Sequence, residues 1–174
     1  MRTVLMTLAC IAAVAGSVQP ASAKSPDEKI AYTVKVSSKV YGNSQATRQI
    51  ASGQTDDYTW KTTPPGGAAA LPSQCAAGHD WPVDENGALL RQTRVRLAPV
   101  VDAANTANIQ LSFDALSPQA SAPKQGSSTA NADPKACPAV STTSEVVRFA
   151  LPLNNKPKTI TLKDGTQLTI SAKS

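Results

Sequence analysis

The chain has 174 residues, 17 Lys and Arg against 12 Asp and Glu, a net charge of +5, one His, three Cys and only 4% aromatic residues. That length suits one domain with a real hydrophobic core. The basic residues are scattered rather than clustered with interleaved aromatics, which argues against a nucleic-acid-binding surface.

The first 23 residues read as a cleavable bacterial secretory signal peptide. Arg2 supplies the positive start, Val4–Val18 carries no charge, and Ala21-Ser22-Ala23 is an A-x-A cleavage motif before Lys24. Cleavage is therefore expected between Ala23 and Lys24. Thr7 stands where a lipoprotein signal before Cys10 would need Leu. The apolar run is also too short for a good membrane span. The mature part, 24–174, reads as a single domain of 151 residues with no integral membrane span. Cys10 leaves with the leader, so Cys75 and Cys137 form an even pair in an exported chain, and one disulfide between them is expected.

Along the mature chain, two-residue alternation dominates and helical periodicity is hard to find. Ile30–Val36 places Ile30, Tyr32, Val34 and Val36 on one face. Weaker strands are expected at Arg48–Gln54 and Tyr58–Thr62, with Tyr58 and Trp60 sharing an inward face. Thr63–Ser73, TPPGGAAALPS, is a loop by its Pro and Gly content. Leu90–Leu97 ends with Val95 and Leu97 inward and Arg94 and Arg96 outward. Asn108–Asp114 turns Ile109, Leu111 and Phe113 inward. Ser117–Ala136 has no apolar residue larger than alanine apart from proline, which predicts a long flexible, low-complexity loop. Glu145–Leu151 offers Val147, Phe149 and Leu151 to a core. At the C-terminus, Asp164-Gly165 between Thr159–Leu162 and Gln167–Ile170 predicts a hairpin. A two-residue turn would set Thr161 against Leu168 and Ile160 against Thr169, an imperfect apolar match, so a longer loop with a bulge is the alternative. Seven or eight short strands of this kind predict an all-β, antiparallel β-sandwich, with an immunoglobulin-like arrangement as one form of it.

The octapeptide CAAGHDWP, Cys75–Pro82, gathers a thiol, the only imidazole, a carboxylate and an indole. A nucleophilic site would have to use His79, no G-x-S-x-G elbow supports it, and a disulfide at Cys75 removes the thiolate. His79, Asp80 and Asp84 or Glu85 lack the spacing of a zinc site, and no calcium or phosphate-binding loop is present. The chain is therefore expected to be non-enzymatic, without cofactor or metal. Trp81 is expected to fold over the loop disulfide. Arg94 and Arg96, with Arg91 nearby, form a basic stripe. Together with Trp81 they are the candidate binding surface, set against the plainer reading of a solvated sheet face.

The stretch Thr93–Ser117, TRVRLAPVVDAANTANIQLSFDALS, resembles the paired antiparallel strands of bacterial secretins. The later VVRFALPLNNKPKTITLKDGTQLTISA is similar to the hairpin that follows them. Ser171-Ala172 stands where secretins carry paired glycines, and the chain is too short for a pore subunit. The resemblance implies an envelope location rather than membership. The expected function is a periplasmic or surface-associated protein that binds or supports another envelope component, a protein or a polysaccharide. The alternatives are a fimbrial or adhesin subunit assembling by donation of the Ile30–Val36 strand, and a secretion-system accessory protein.

Overall fold

A computed structural model describes residues 29–76, 80–119 and 137–174. Within them the chain forms eight strands and one helical turn: β1 (Lys29–Ser38), β2 (Gly42–Ala51), β3 (Asp56–Thr62), α1 (Ser73–Ala76), β4 (Arg91–Val101), β5 (Thr106–Pro118), β6 (Val140–Pro152), β7 (Lys158–Thr161) and β8 (Gln167–Lys173). All strand pairs are antiparallel. One sheet has the order β2-β1-β8-β7 and the other β3-β4-β5-β6. The second sheet is a plain meander, whereas an immunoglobulin sandwich is joined by Greek-key connections.

Alternation explains the core. Ile30, Tyr32, Val34 and Val36 of β1 meet Leu168, Ile170 and Ala172 of β8 on one side of a single apolar cluster. Val95, Leu97, Ile109, Leu111 and Phe113 of the meander form the other side. The expected inward faces of β1, β4 and β5 are thus those observed. On β6, Leu151 is buried, whereas Val147 and Phe149 are only partly covered because this strand lies at a sheet edge. Ile30–Val36 lies in the middle of its sheet, paired with β2 on one side and β8 on the other. Donating it to a neighbour would break both ladders.

Several element bounds differ from the sequence expectation. β2 begins at Gly42 rather than near Arg48 and ends at Ala51. Its Asn43–Gln49 stretch exposes alternate polar side chains on an edge, so it carries little apolar signal. β5 continues through Ser117 and Pro118, with Ser117 buried, so the predicted loop does not begin at Ser117. Most of that segment, 120–136, lies outside the described residues, as do Ala23, Lys24 and the leader. The C-terminal hairpin takes the longer-loop alternative. The Leu162 N–H donates to the Thr166 carbonyl (2.8 Å), and the Gly165 N–H to the Leu162 carbonyl (3.0 Å). Gly165 adopts φ +83°, the left-handed geometry that glycine reaches without steric cost. This register pairs Ile160 with Leu168, apolar with apolar.

The same three-residue connection recurs twice. In Asp102–Thr106, Asn105 takes the left-handed position (φ 60°). In Asp84–Ala88 the two equivalent bonds measure 2.9 and 3.1 Å. Asp84 and Asp102 each accept two loop N–H groups on one carboxylate oxygen, which replaces backbone partners that the turn leaves open.

Candidate functional site

The excursion between β3 and β4 is the least regular part of the fold, yet it is tied down along its length. Leu89 N–H donates to the Ala69 carbonyl (2.9 Å), Leu71 N–H to Gly87 (3.0 Å) and Leu90 N–H to Pro82 (2.7 Å). Leu89 is buried beneath these strands of loop. The helical turn α1 places Cys75, itself buried, within bonding distance of the exposed Cys137, and the two form a disulfide with a Cα–Cα separation of 5.5 Å. The Trp81 indole N–H donates to the Cys75 carbonyl (2.7 Å), so the ring is anchored beside the bond. His79 lies outside the described residues, and Asp80 is exposed. Among the described residues no group of three or more His, Cys, Asp or Glu is placed to hold a metal ion.

A groove of about 700 Å³ opens beside this staple. One wall carries Pro64, Pro65, Pro72 and Leu89 from the excursion. The opposite wall carries Ser117 and Pro118, where β5 ends, and Pro138 just after Cys137. Val40, 44% exposed in the β1–β2 turn, closes one side. No acidic, basic or thiol side chain is among its described lining residues. Prolines fix the backbone of both walls and remove N–H donors. The disulfide joins a residue three positions beyond Pro72 to the residue before Pro138, and so holds the two walls at a set distance.

A polar network near Val40 ties the β1–β2 and β7–β8 turns to strand β6. The Tyr41 hydroxyl donates to Thr143 Oγ1 (2.9 Å), and Thr143 donates to Asp164 Oδ2 (3.1 Å). Thr166 lies within hydrogen-bond distance of both Asp164 (3.0 Å) and Ser38 Oγ (3.0 Å). Gly42 lies at φ +85° with the Arg91 guanidinium 3.1 Å from where a Cβ would stand, so any side chain there would meet both strain and crowding.

Arg94 and Arg96 lie together on the outer face of β4, and both turn to Asp57 across the β3–β4 ladder. Arg94 Nε donates to Asp57 Oδ1 (2.9 Å) and its Nη2 to Oδ2. Arg96 Nη2 donates to the same Oδ2 at 3.0 Å. The stripe is therefore part of an ion-pair cluster, while Trp81 belongs to the loop beside the disulfide. The rest of this sheet face is cross-linked in the same way. Ser144 donates to Asp114 (2.6 Å) and Arg148 to Gln110 (2.9 Å), each directly across β5–β6. These contacts match a solvated sheet face held by cross-strand pairs.

The hydrogen bonds from Arg94, with those from Arg96, hold the Asp57 carboxyl down at about 2. A carboxyl lowered in the fold stabilises it above the unfolded value near 4 and loses that contribution as pH falls toward 2. Asp57→Asn is expected to cost about 1 kcal/mol or less at pH 7, as for exposed ion pairs. It should also flatten the stability loss between pH 4 and 2. Urea unfolding at pH 7 and pH 2.5 checks this, and an acid limb identical to that of the parent would refute it.

A second cluster bridges the sheets at the β2–β3 side. The Tyr32 hydroxyl (β1) and Arg48 Nε (β2) both donate to Asp56 Oδ2 (β3), each at 2.7 Å. The Arg48 guanidinium lies 5.3 Å from the Tyr58 ring centroid, and Tyr58 meets Trp60 edge to face at 4.8 Å. Burial first, and then the bond to Asp56, pushes ionisation of the Tyr32 hydroxyl upward, so it stays protonated and donates to Asp56. Sequence reading missed this cluster because its members come from three strands. It missed the groove because its lining comes from separate loops, although the prolines of TPPGG, LPS, SPQ and CPA stand on most of the segments that line it.

Fold and groove together define the class: an antiparallel β-sandwich stapled by a disulfide beside a cleft with no charged side chain among its described lining residues. The chain belongs to the family of unknown function DUF6013, which matches residues 1–174. No curated protein and no solved structure matches it. Among the described residues no helix is long and apolar enough to cross a membrane.

Proposed function

We infer that the protein is an exported, non-enzymatic component of the bacterial envelope that binds another envelope component through the groove beside the Cys75–Cys137 bond. The observation that carries this reading is the chemistry of the lining: prolines, small residues, Leu89 and Val40, with no described group able to give or take a proton near neutral pH. Such a surface recognises shape and apolar contact rather than charge. A binding cleft typically has a mostly apolar lining with few polar anchors, and here Ser117, Gln119 and Ser141 supply them. The disulfide supports an oxidising compartment, since such bonds are rare in the cytosol. The leader read from Arg2 to Ala23 supports the periplasm or the cell surface as that compartment.

Site-specific photo-crosslinking tests this in cells that make the full chain. A photoreactive residue at Val40 should yield an adduct with an envelope component. The same residue at Thr159, exposed on β7, should not. The protein should also be released by osmotic shock and begin at Lys24. A chain retained in the cytoplasm with its leader attached, or equal crosslinking at both positions, would overturn the reading.

A further inference from the structure

We propose that the outer edge of β2 is a pairing edge and that its partner is β2 of a second copy of this chain. A sandwich of two four-stranded sheets has four edges, and an unguarded edge is a template for another strand. Three of the four are guarded in more than one way. β7 has four residues and follows Pro157. β3 has seven and carries Asp56, Asp57 and Lys61. β6 is long, but the β7–β8 hairpin covers it. Lys158 Nζ donates to the Ala150 carbonyl (3.1 Å), Lys163 N–H donates to the inward-facing Glu145 (3.1 Å), and Pro152 closes its end.

β2 has only one of these devices, Arg48 on the inward side of the strand opposite Tyr32. It runs ten residues in unbroken register against β1, with no proline and no bulge. Among the described residues nothing pairs with its other side. Its only charged residue is Arg48, which is already held by Asp56 at 2.7 Å. The outward side chains Asn43, Gln45, Thr47 and Gln49 are neutral and exposed.

Self-pairing about a two-fold axis keeps opposed residues on one face of the sheet. That requires a residue on the axis to face its own copy. Arg48 on the axis would set like charges together, which is destabilising. Ala46 on the axis would draw Gly42 into the ladder, and Gly42 is not extended (φ +85°). Thr47 on the axis avoids both. It pairs Thr47 with Thr47, Gln45 with Gln49 twice, and Ala46 with Arg48 twice, and no like charges meet. The result is one eight-stranded sheet running through two protomers. This pairing is independent of the groove.

Gln45→Lys with Gln49→Lys sets ammonium groups against each other across the axis at exposed positions. Gln45→Glu with Gln49→Lys instead sets a carboxylate at position 45 of each protomer against an ammonium at position 49 of the other. Light scattering and sedimentation of the oxidised, exported protein should give a dimer. The first double variant should weaken it by roughly tenfold or more, and the second should restore it, both with the parental circular dichroism. A monomer for the parent chain, or a dimer indifferent to both variants, would overturn the proposal.

Discussion

Breaking the Cys75–Cys137 bond, by reduction or by Cys137→Ser, is expected to lower stability by about 4 kcal/mol on the chain-entropy account of a cross-link. The bond spans 62 positions, and most of its effect lies in restricting the unfolded chain. A domain of this size has on the order of 5–15 kcal/mol in total, so the reduced protein should unfold at far lower denaturant. Loss should begin locally. The excursion that carries Pro64–Pro72 and Leu89 would be held only by its hydrogen bonds and the burial of Leu89, and Trp81 would lose the fixed Cys75 carbonyl that it bonds. In a Trp60→Phe variant Trp81 is the sole tryptophan, and its emission should shift to the red on reduction before the sandwich melts. An unchanged urea midpoint after complete reduction would contradict this account.

Phe113→Ala is expected to cost about 3–5 kcal/mol, the range for removing a buried phenylalanine ring. Phe113 sits on β5, flanked by β4 and β6, with no exposed surface. It faces Val95 across β4 and meets the Tyr41 ring edge to face at 6.3 Å. Tyr41 comes from the β1–β2 turn, so this contact joins the two sheets. Phe149→Ala should cost less. That ring lies on the edge strand, half-covered, with the Lys158 ammonium 5.4 Å from its centroid. Urea unfolding of the two variants decides the matter, and a Phe149→Ala loss equal to that of Phe113→Ala would place the core elsewhere.

How legible an element was in the sequence followed how deeply it is buried on one face. β1 and β5 each pack a whole face into the core, so their side chains alternate without a break, and their inward residues were readable one by one. β2 has a solvated outer face and a polar row from Asn43 to Gln49, and only Ile50 marks its inward side as buried. Alternation had nothing to display there. The C-terminal turn shows a different limit. Asp164-Gly165 announces a turn, but two or three loop residues are both compatible with it. What selects the three-residue loop is the pairing of Ile160 with Leu168, which keeps the apolar face of β8 turned inward.

The stripe of Arg94 and Arg96 was visible as two charges on one strand face. Their partner was not, because Asp57 stands 37 and 39 residues away and reaches them only through the β3–β4 register. The groove is a stronger case. Its prolines are plain in the sequence, but they lie on separate loops, and a proline alone marks only a place where a strand stops.

By itself, the sequence determined that this chain is all-β, antiparallel, single-cored and cross-linked once, because alternation, turn chemistry and cysteine parity are local properties or counts. The tertiary structure alone decided strand order, the heavier guarding of three edges, the pairing of the arginine stripe with Asp57, and the groove beside the staple. Each of these depends on which distant segments share a sheet edge or one end of the sandwich. That choice is made by the fit of two apolar faces to each other, which no single stretch of the chain contains.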